Sequence, residues 1–494
     1  MPAIDPAFLA LTAARPTEAA LERALALGAV HADVRLQRNR TATLRLRDAR
    51  LESAQEDEDL GLAVRVIADG AWGFAAGTDR SPAGASRLAE EAVAIARVGS
   101  AMGAATTIAP EPVHAGEQWV SAYAVDPFEV PVAERAGRLA ELSERLLATA
   151  AVDRVDASVV HVLENVHYAD TAGTTTTQQR VRMHPVFNAF NVDPKTGALA
   201  AMRTIGPATA RGWEYLEGDG WDWDAEIAAL PGWLGEHAAA PPVEAGVYDL
   251  VIHPSNLWLT IHESVAHATE LDRVLGREAA FAGTSFVPAD GIGSLRYGSE
   301  AMNVTGDRSV EHGLATVGFD DEGVPGRRFD IVRDGVLAGF QLNREMAAET
   351  DQGRSNGCAY AASFRHPPMQ RMPNVSLLPD PDGPSTEELI GRVERGVYIV
   401  GDRSWSIDMQ RLNFQFTGQR FYRIEDGRLA GQLSEVAYQA TTTDFWRSLE
   451  AVGGPETYYH GGTIGCGKGQ PIQTAPVSHG CPSALFRGIA VINP

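Results

Sequence analysis

Positive charge is scarce in this 494-residue chain and cysteine scarcer still. Only 42 basic residues stand against 64 acidic ones, a formal charge of −22. A surface that negative repels phosphate backbones, so a nucleic-acid partner is not expected. No run of about 18 apolar residues occurs, and no basic amphipathic stretch suits a lipid surface, so no membrane association is expected. The opening MPAIDPAFLALTAARPTEAALERALALG lacks a basic segment and passes straight into an amphipathic helix, unlike a signal peptide. Three cysteines, Cys358, Cys466 and Cys481, are too few for a disulfide framework. Their odd number points to free or metal-bound thiols in a reducing compartment, and the cytoplasm is the expected location.

The composition is otherwise globular, with 44% hydrophobic and 21% charged residues and no low-complexity tract. Its 28 prolines and 49 glycines are scattered as turn punctuation. A chain of this length exceeds one ordinary core, so two domains are expected. TEAALERALALG (17–28), SRLAEEAVAIARVG (86–99) and VAERAGRLAELSERLLATA (from 132) have helical spacing. Around them run alternating segments such as HADVRLQR, TATLRLRD, LESAQEDE and GLAVRVIADGAWGFAAG, with Asp69-Gly70 as a hairpin turn. Hairpin-linked strands with helices predict an α+β fold, not a doubly wound one. APPVEAG at 240–246 marks a boundary between an N-terminal α+β domain (1–240) and a C-terminal, mostly-β domain (241–494). In the latter, Asp334-Gly335 and Asp426-Gly427 signal two more hairpins.

One helix stands out in the second half. PSNLWLTIHESVAHATELDRVLG (254–276) has Ser255 as a candidate cap, an apolar stripe from Leu257 to Ala268, and Gly276 as its stop. It carries His262-Glu263-Ser264-Val265-Ala266-His267. Histidines at i and i+4 lie about 40° apart on a helix, whereas i and i+5 lie about 140° apart. Two imidazoles at this spacing meet one ion only if the turn holds an extra residue, so a π-bulge within 263–267 is predicted. Given that bulge, the pair can bind a divalent cation with one position open for water, and Glu263 suits a general base. The competing expectation is a chance pair of structural histidines. On chemistry alone the third ligand is open between Glu270, three residues beyond His267, and Cys466, set among glycines in GGTIGCGKGQP. Cys358 and Cys481 read as structural, and Leu257 and Trp258 as core.

The segments GLAVRVIADGAWGFAAG, IHESVAHATELD, FDDEGVPGRR, RHPPMQRMPN and GCGKGQP together make the chain resemble the TldD/PmbA metallopeptidase family, in its metal-bearing TldD branch. GCAYAASF precedes RHPP where family members often carry Arg-rich text. The resemblance implies one zinc ion held by His262, His267 and Cys466, with Glu263 as catalytic base and Glu270 orienting a ligand imidazole or facing substrate. It also implies extended, unfolded peptide as substrate, bound through its backbone, and a homologous subunit lacking the motif as partner. A homodimer is the other arrangement. Arg371 and Asn374 are candidates to hydrogen-bond substrate backbone, and His479 or Tyr459 to stabilise an oxyanion. For each, a plain structural contact is the competing expectation. Two other functions remain open on sequence grounds: a non-catalytic partner subunit, and an amidohydrolase acting on a small peptide-derived substrate.

Overall fold

The computed structural model describes residues 3–12, 15–103 and 105–493. The first half is built on one seven-stranded sheet. Its strands are β1 (His31–Arg47), β2 (Arg50–Ala68), β3 (Ala71–Gly77), β4 (Ala115–Val120), β5 (Arg154–Asp170), β6 (Thr175–Val192) and β7 (Leu199–Arg203). The order is β3-β2-β1-β5-β6-β4, with β7 also on β6. All pairings are antiparallel except β4 on β6. The three alternating segments expected between 31 and 58 merge into two long strands. Asp48 and Ala49, both at positive φ, form the turn between them, and a turn without glycine gave no signal. Asp69-Gly70 does form the β2–β3 hairpin, with φ of 51° and 80°.

Strand alternation sorts this sheet into two faces. Ala32, Val34, Leu36, Leu44 and Leu46 of β1 point to one face, into the cores beneath the helices Pro16–Ala26, Pro82–Ala101, Val132–Leu147 and Trp223–Ala239. Full burial of each Leu or Val is worth roughly 1.5–3 kcal/mol. The fit is close: a Cβ on Gly73 of β3 would lie 1.9 Å from the Ala92 carbonyl oxygen, so only glycine lets that helix seat. Asp33, Arg35, Gln37 and Asn39 alternate onto the opposite face, where they meet the second half of the chain. Arg35 donates to the His366 carbonyl (2.6 Å), Asn39 to that of Ala362 (2.9 Å), and Arg65 of β2 to Glu322 (3.0 Å). Asp33 answers Arg65 from below. Burial would raise its carboxyl, but the Arg65 charge and His31 outweigh that and hold it at about 2.

In the second half, β8 (Gly246–Ile252) pairs in parallel with Arg395–Ile407 and antiparallel with Ala484–Ile492. The latter pairs with Ala437–Thr441, that strand with Asn413–Glu425, and Asn413–Glu425 returns to Arg395–Ile407. The ring closes as a small barrel, which leaves few free edges. Both expected Asp-Gly hairpins form, with Asp334 and Asp426 in the left-handed region ahead of glycine. A two-stranded ribbon, Tyr459–Lys468 with Gln473–Cys481, stands beside the barrel. Among the described residues no helix is long and apolar enough to cross a membrane.

Candidate metal centre

The chain leaves β8 directly into the helix Pro254–Ile261. His253 caps it, accepting the Ser255 amide at 3.1 Å on Nδ1, so Ser255 is not the cap expected from sequence. Its face is buried: Leu257 and Ile261 are fully covered by the barrel-side core, as expected. Trp258 is covered too, yet it also lines the cavity described below and donates to Asp402 at 3.2 Å.

The helix does not continue unbroken to Gly276. Residues His262–Ala266 form a π-turn, His267–Thr269 a 3₁₀ turn, and Glu270 breaks out with ψ of 116° before a short turn at Leu271–Val274. The widened turn therefore exists and starts one residue earlier than predicted. It supplies the extra residue that an i, i+5 pair needs, and the two rings stand with centroids 4.6 Å apart.

Cys466 arrives from the other side. The ribbon is slim where it crosses the helix: a Cβ on Gly461 would lie 2.2 Å from the Trp258 ring. A register shift between Thr463 and Cys466 then brings the thiol round. Cys466 Sγ lies 3.5 Å from His267 Nε2, and the donor atoms of His262, His267 and Cys466 all fall within 4.8 Å of one another.

Behind each imidazole stands a group that fixes its tautomer. His479 Nδ1 is 2.8 Å from the Val375 carbonyl, an acceptor only, so Nδ1 carries the proton and Nε2 accepts. That Nε2 lies 2.7 Å from His262 Nδ1, which must donate, leaving His262 Nε2 as a lone pair. His267 Nδ1 donates to Glu270 at 2.9 Å, freeing its own Nε2 towards Cys466. Burial holds both imidazoles neutral, with pKa values brought down to about 4. Burial would also raise the Cys466 thiol. Arg371 and His267 outweigh it and bring that thiol below its usual value. Two neutral Nε2 atoms and a thiol biased towards thiolate are a donor set suited to zinc.

Glu270 is itself gripped. Burial opposes its charge, but Lys468, His267 and Arg273 hold it well below the usual carboxylate range. Lys468 is fully buried, 3.1 Å from Glu270 and 2.8 Å from Asp272. Within GCGKGQP no motif or spacing marks this lysine for a role. Its rarity was the available signal, since Lys195 and Lys468 are the two lysines of the chain.

Of the other expected site residues, Tyr459 lines the cavity described below, and Arg371, Asn374 and His479 lie outside its lining. Arg371 is buried behind the thiol and donates to the Cys466 carbonyl at 2.7 Å. Asn374 spends its amide internally on Ala315, Asp307 and Thr316. His479 stands behind His262 and does not face the cavity, and the Tyr459 hydroxyl donates to the Ile205 carbonyl. Neither is free to hold an oxyanion. Cys358 and Cys481 are buried, and burial raises both thiols, to about 12 for Cys358.

A cavity of about 480 Å³ opens on the cluster. The second half lines it with Glu263, Trp405 and Arg411, and the first half adds His184, Arg203 and Ile205. Within it Arg411 Nη1 donates to Glu263 Oε2 at 2.5 Å. Nothing in the sequence singled out this arginine, which sits in a turn between barrel strands.

Comparisons with known proteins agree with this geometry. A model described as the PmbA/TldA metallopeptidase C-terminal domain matches residues 245–493, and one for PmbA/TldA metallopeptidase domain 1 matches 32–96. The chain is 27% identical to a metalloprotease of Methanothermobacter thermautotrophicus, over 93% of this chain and 95% of that one. It is also 27% identical to the zinc metalloprotease TldD homolog of Saccharolobus solfataricus, over 42% of this chain and 44% of that one. The crystal structure of TldE from Thermococcus kodakarensis superposes with a TM-score of 0.71 at 15% identity, covering 96% of this chain and 99% of that one, which shows a shared fold. With its C-terminal half matched by one model of the family and residues 32–96 by another, the chain belongs to the TldD/PmbA metallopeptidases.

Proposed function

We propose that this protein is a zinc peptidase of the TldD type, cleaving extended or unfolded peptides. The observation that carries the reading is the buried convergence of His262 Nε2, His267 Nε2 and Cys466 Sγ beside Glu263 at one end of a peptide-sized cavity. The name of the Saccharolobus relative supports zinc over other cations. Zinc held there would polarise a scissile carbonyl and lower the pKa of water towards about 7. The protein's own part is to keep both imidazoles neutral and aimed, to keep the thiol deprotonated, and to move one proton. Glu263 takes that proton from the attacking water and passes it to the leaving amine.

Among the described residues the strand Tyr459–Lys468 is paired on one side only, by Gln473–Cys481, and Gly462, Thr463 and Gly465 line the cavity. A peptide added along that edge is held by its backbone and places its carbonyls at the cluster with little sequence preference. We further propose a homologous family subunit as partner, supported by the fold shared with TldE, with a second copy of this chain as the alternative. Three buried free cysteines support a reducing, cytoplasmic setting. The division into domains 1–240 and 241–494 is proposed at the segment between the last helix of the first half and β8.

The test is Glu263→Gln, alone and with any co-purifying homologue. Metal content should stay near one zinc per chain while cleavage of an unfolded peptide falls by about 10²–10⁴-fold. A variant that keeps its metal and its activity removes Glu263 as the base.

A further inference from the structure

Beside the polarisation that zinc would supply, the proposed reaction leaves a place for a protein donor not yet named. As water adds to the scissile carbonyl, its oxygen gains negative charge, and peptidases meet that charge with a positioned donor. Both groups expected in that role are occupied, His479 behind His262 and Tyr459 at Ile205. Two arginines line the cavity, and one of them, Arg203, is committed to Asp402, whose carboxylate and carbonyl it contacts at 2.5 and 3.1 Å.

Arg411 differs in three ways. Its half-buried guanidinium donates through Nη1 to Glu263 and through Nη2 to the Ala282 carbonyl at 3.1 Å, and its buried Nε has no partner among the described residues. Its backbone lies in the left-handed region at φ 63°, a conformation unfavourable to a residue bearing a Cβ. That conformation is imposed from both sides. Asp408 takes the Arg411, Leu412 and Asn413 amides, and Thr442 donates to the Arg411 carbonyl at 2.7 Å. The turn thus fixes one side chain at the spot where the base waits. Nη1 also occupies a lone pair of Glu263 Oε2, an acceptor position that the attacking water would use. The guanidinium and the water therefore compete for the same carboxylate oxygen.

Resting on the peptidase reading above, we infer that Arg411 is a catalytic residue: on substrate binding its guanidinium leaves Glu263 and donates to the carbonyl oxygen that becomes the oxyanion. The water oxygen bonds to the carbonyl carbon, the C=O π pair moves onto oxygen, and Glu263 takes a water proton. In collapse the pair re-forms C=O, the C–N bond breaks, and Glu263 returns the proton to nitrogen. Arg411 keeps all its protons throughout. One motion both frees the base and supplies the donor.

The test compares Arg411→Ala and Arg411→Lys with the wild type, as full chains loaded with zinc and with the homologous partner if cleavage needs it. Metal content should be unchanged in all three. For Arg411→Ala, kcat on an unfolded peptide should fall about 10²–10³-fold with KM nearly constant, and added guanidinium should restore part of it. Two analogues of the assay peptide give a readout independent of turnover. A phosphinic analogue, which carries the oxyanion, should bind Arg411→Ala more weakly by a similar factor. A reduced-amide analogue, which lacks that oxygen, should bind as before. Arg411→Ala with kcat within threefold of wild type, or higher, overturns the inference, as does equal weakening of both analogues. A zinc-loaded wild type that cleaves nothing sinks the peptidase reading instead, and the analogue pair still decides Arg411.

Discussion

Lys468→Met tests the buried support behind His267. The ammonium has three protons and four acceptor atoms in reach: Glu270 at 3.1 Å, Asp272 at 2.8 Å, the Gln370 carbonyl at 2.9 Å and Gln370 Oε1 at 3.3 Å. Methionine has similar length and no charge, so the substitution leaves the volume filled, Glu270 with Arg273 and His267, and the Asp272 carboxylate with the Arg273 amide. Removing one partner of a buried ion pair costs about 3–5 kcal/mol. With an unfolding entropy of about 2.1 cal/mol/K per residue, the whole chain melting as one unit would lose about 3–5 °C in Tm. If the C-terminal half melts by itself, that loss roughly doubles. Glu270 freed of Lys468 also orients His267 less firmly, which should weaken metal binding by about 10–100-fold. Calorimetry with and without a chelator reads the first effect, and competition with a chromogenic chelator reads the second. The double variant Lys468→Met/Glu270→Gln removes both charges and should recover about 1–3 kcal/mol relative to additivity. Wild-type Tm together with wild-type metal affinity in Lys468→Met would refute the reasoning.

Two further outcomes follow from the same geometry. Cys466→Ser should leave the fold intact by circular dichroism but drop zinc well below one per chain after dialysis; full zinc retention would return the third ligand to Glu270. His161, buried against Trp213 with both ring nitrogens unpartnered, is held down to about 3 by burial and the Arg135 charge. An unfolded histidine titrates near about 6.5, so as pH falls from there towards 3 the unfolded chain gains a proton that the folded one refuses, and stability is lost. His161→Phe should therefore lose less Tm between pH 7 and pH 4.5 than the wild type; an identical loss would mean His161 does not contribute.

What the sequence determines here is whatever obeys short-range rules. Asp69-Gly70, Asp334-Gly335 and Asp426-Gly427 turn because aspartate and glycine accept positive φ, and any sequence reader can find them. The alternation in β1 sets which residues share a face, and the i, i+5 histidine spacing demands a widened turn because a straight helix cannot bring both rings to one ion. Even there the tertiary structure intervenes. It moved the bulge by one residue and broke the helix at Glu270, whose backbone bridges Gln341. The choice of Cys466 over Glu270 beside the histidines, the placing of His479 behind His262, the seating of Lys468 under Glu270 and the aiming of Arg411 at Glu263 were all decided by the fold. These partners are 148 to 217 residues apart in all four contacts. No local periodicity connects such positions. Their identities follow from which buried donors and acceptors must satisfy one another once barrel, ribbon and first sheet have packed, and a polar group can be matched only after its neighbours are known. The bulged helix was legible as a need; the fold supplied everything that meets it.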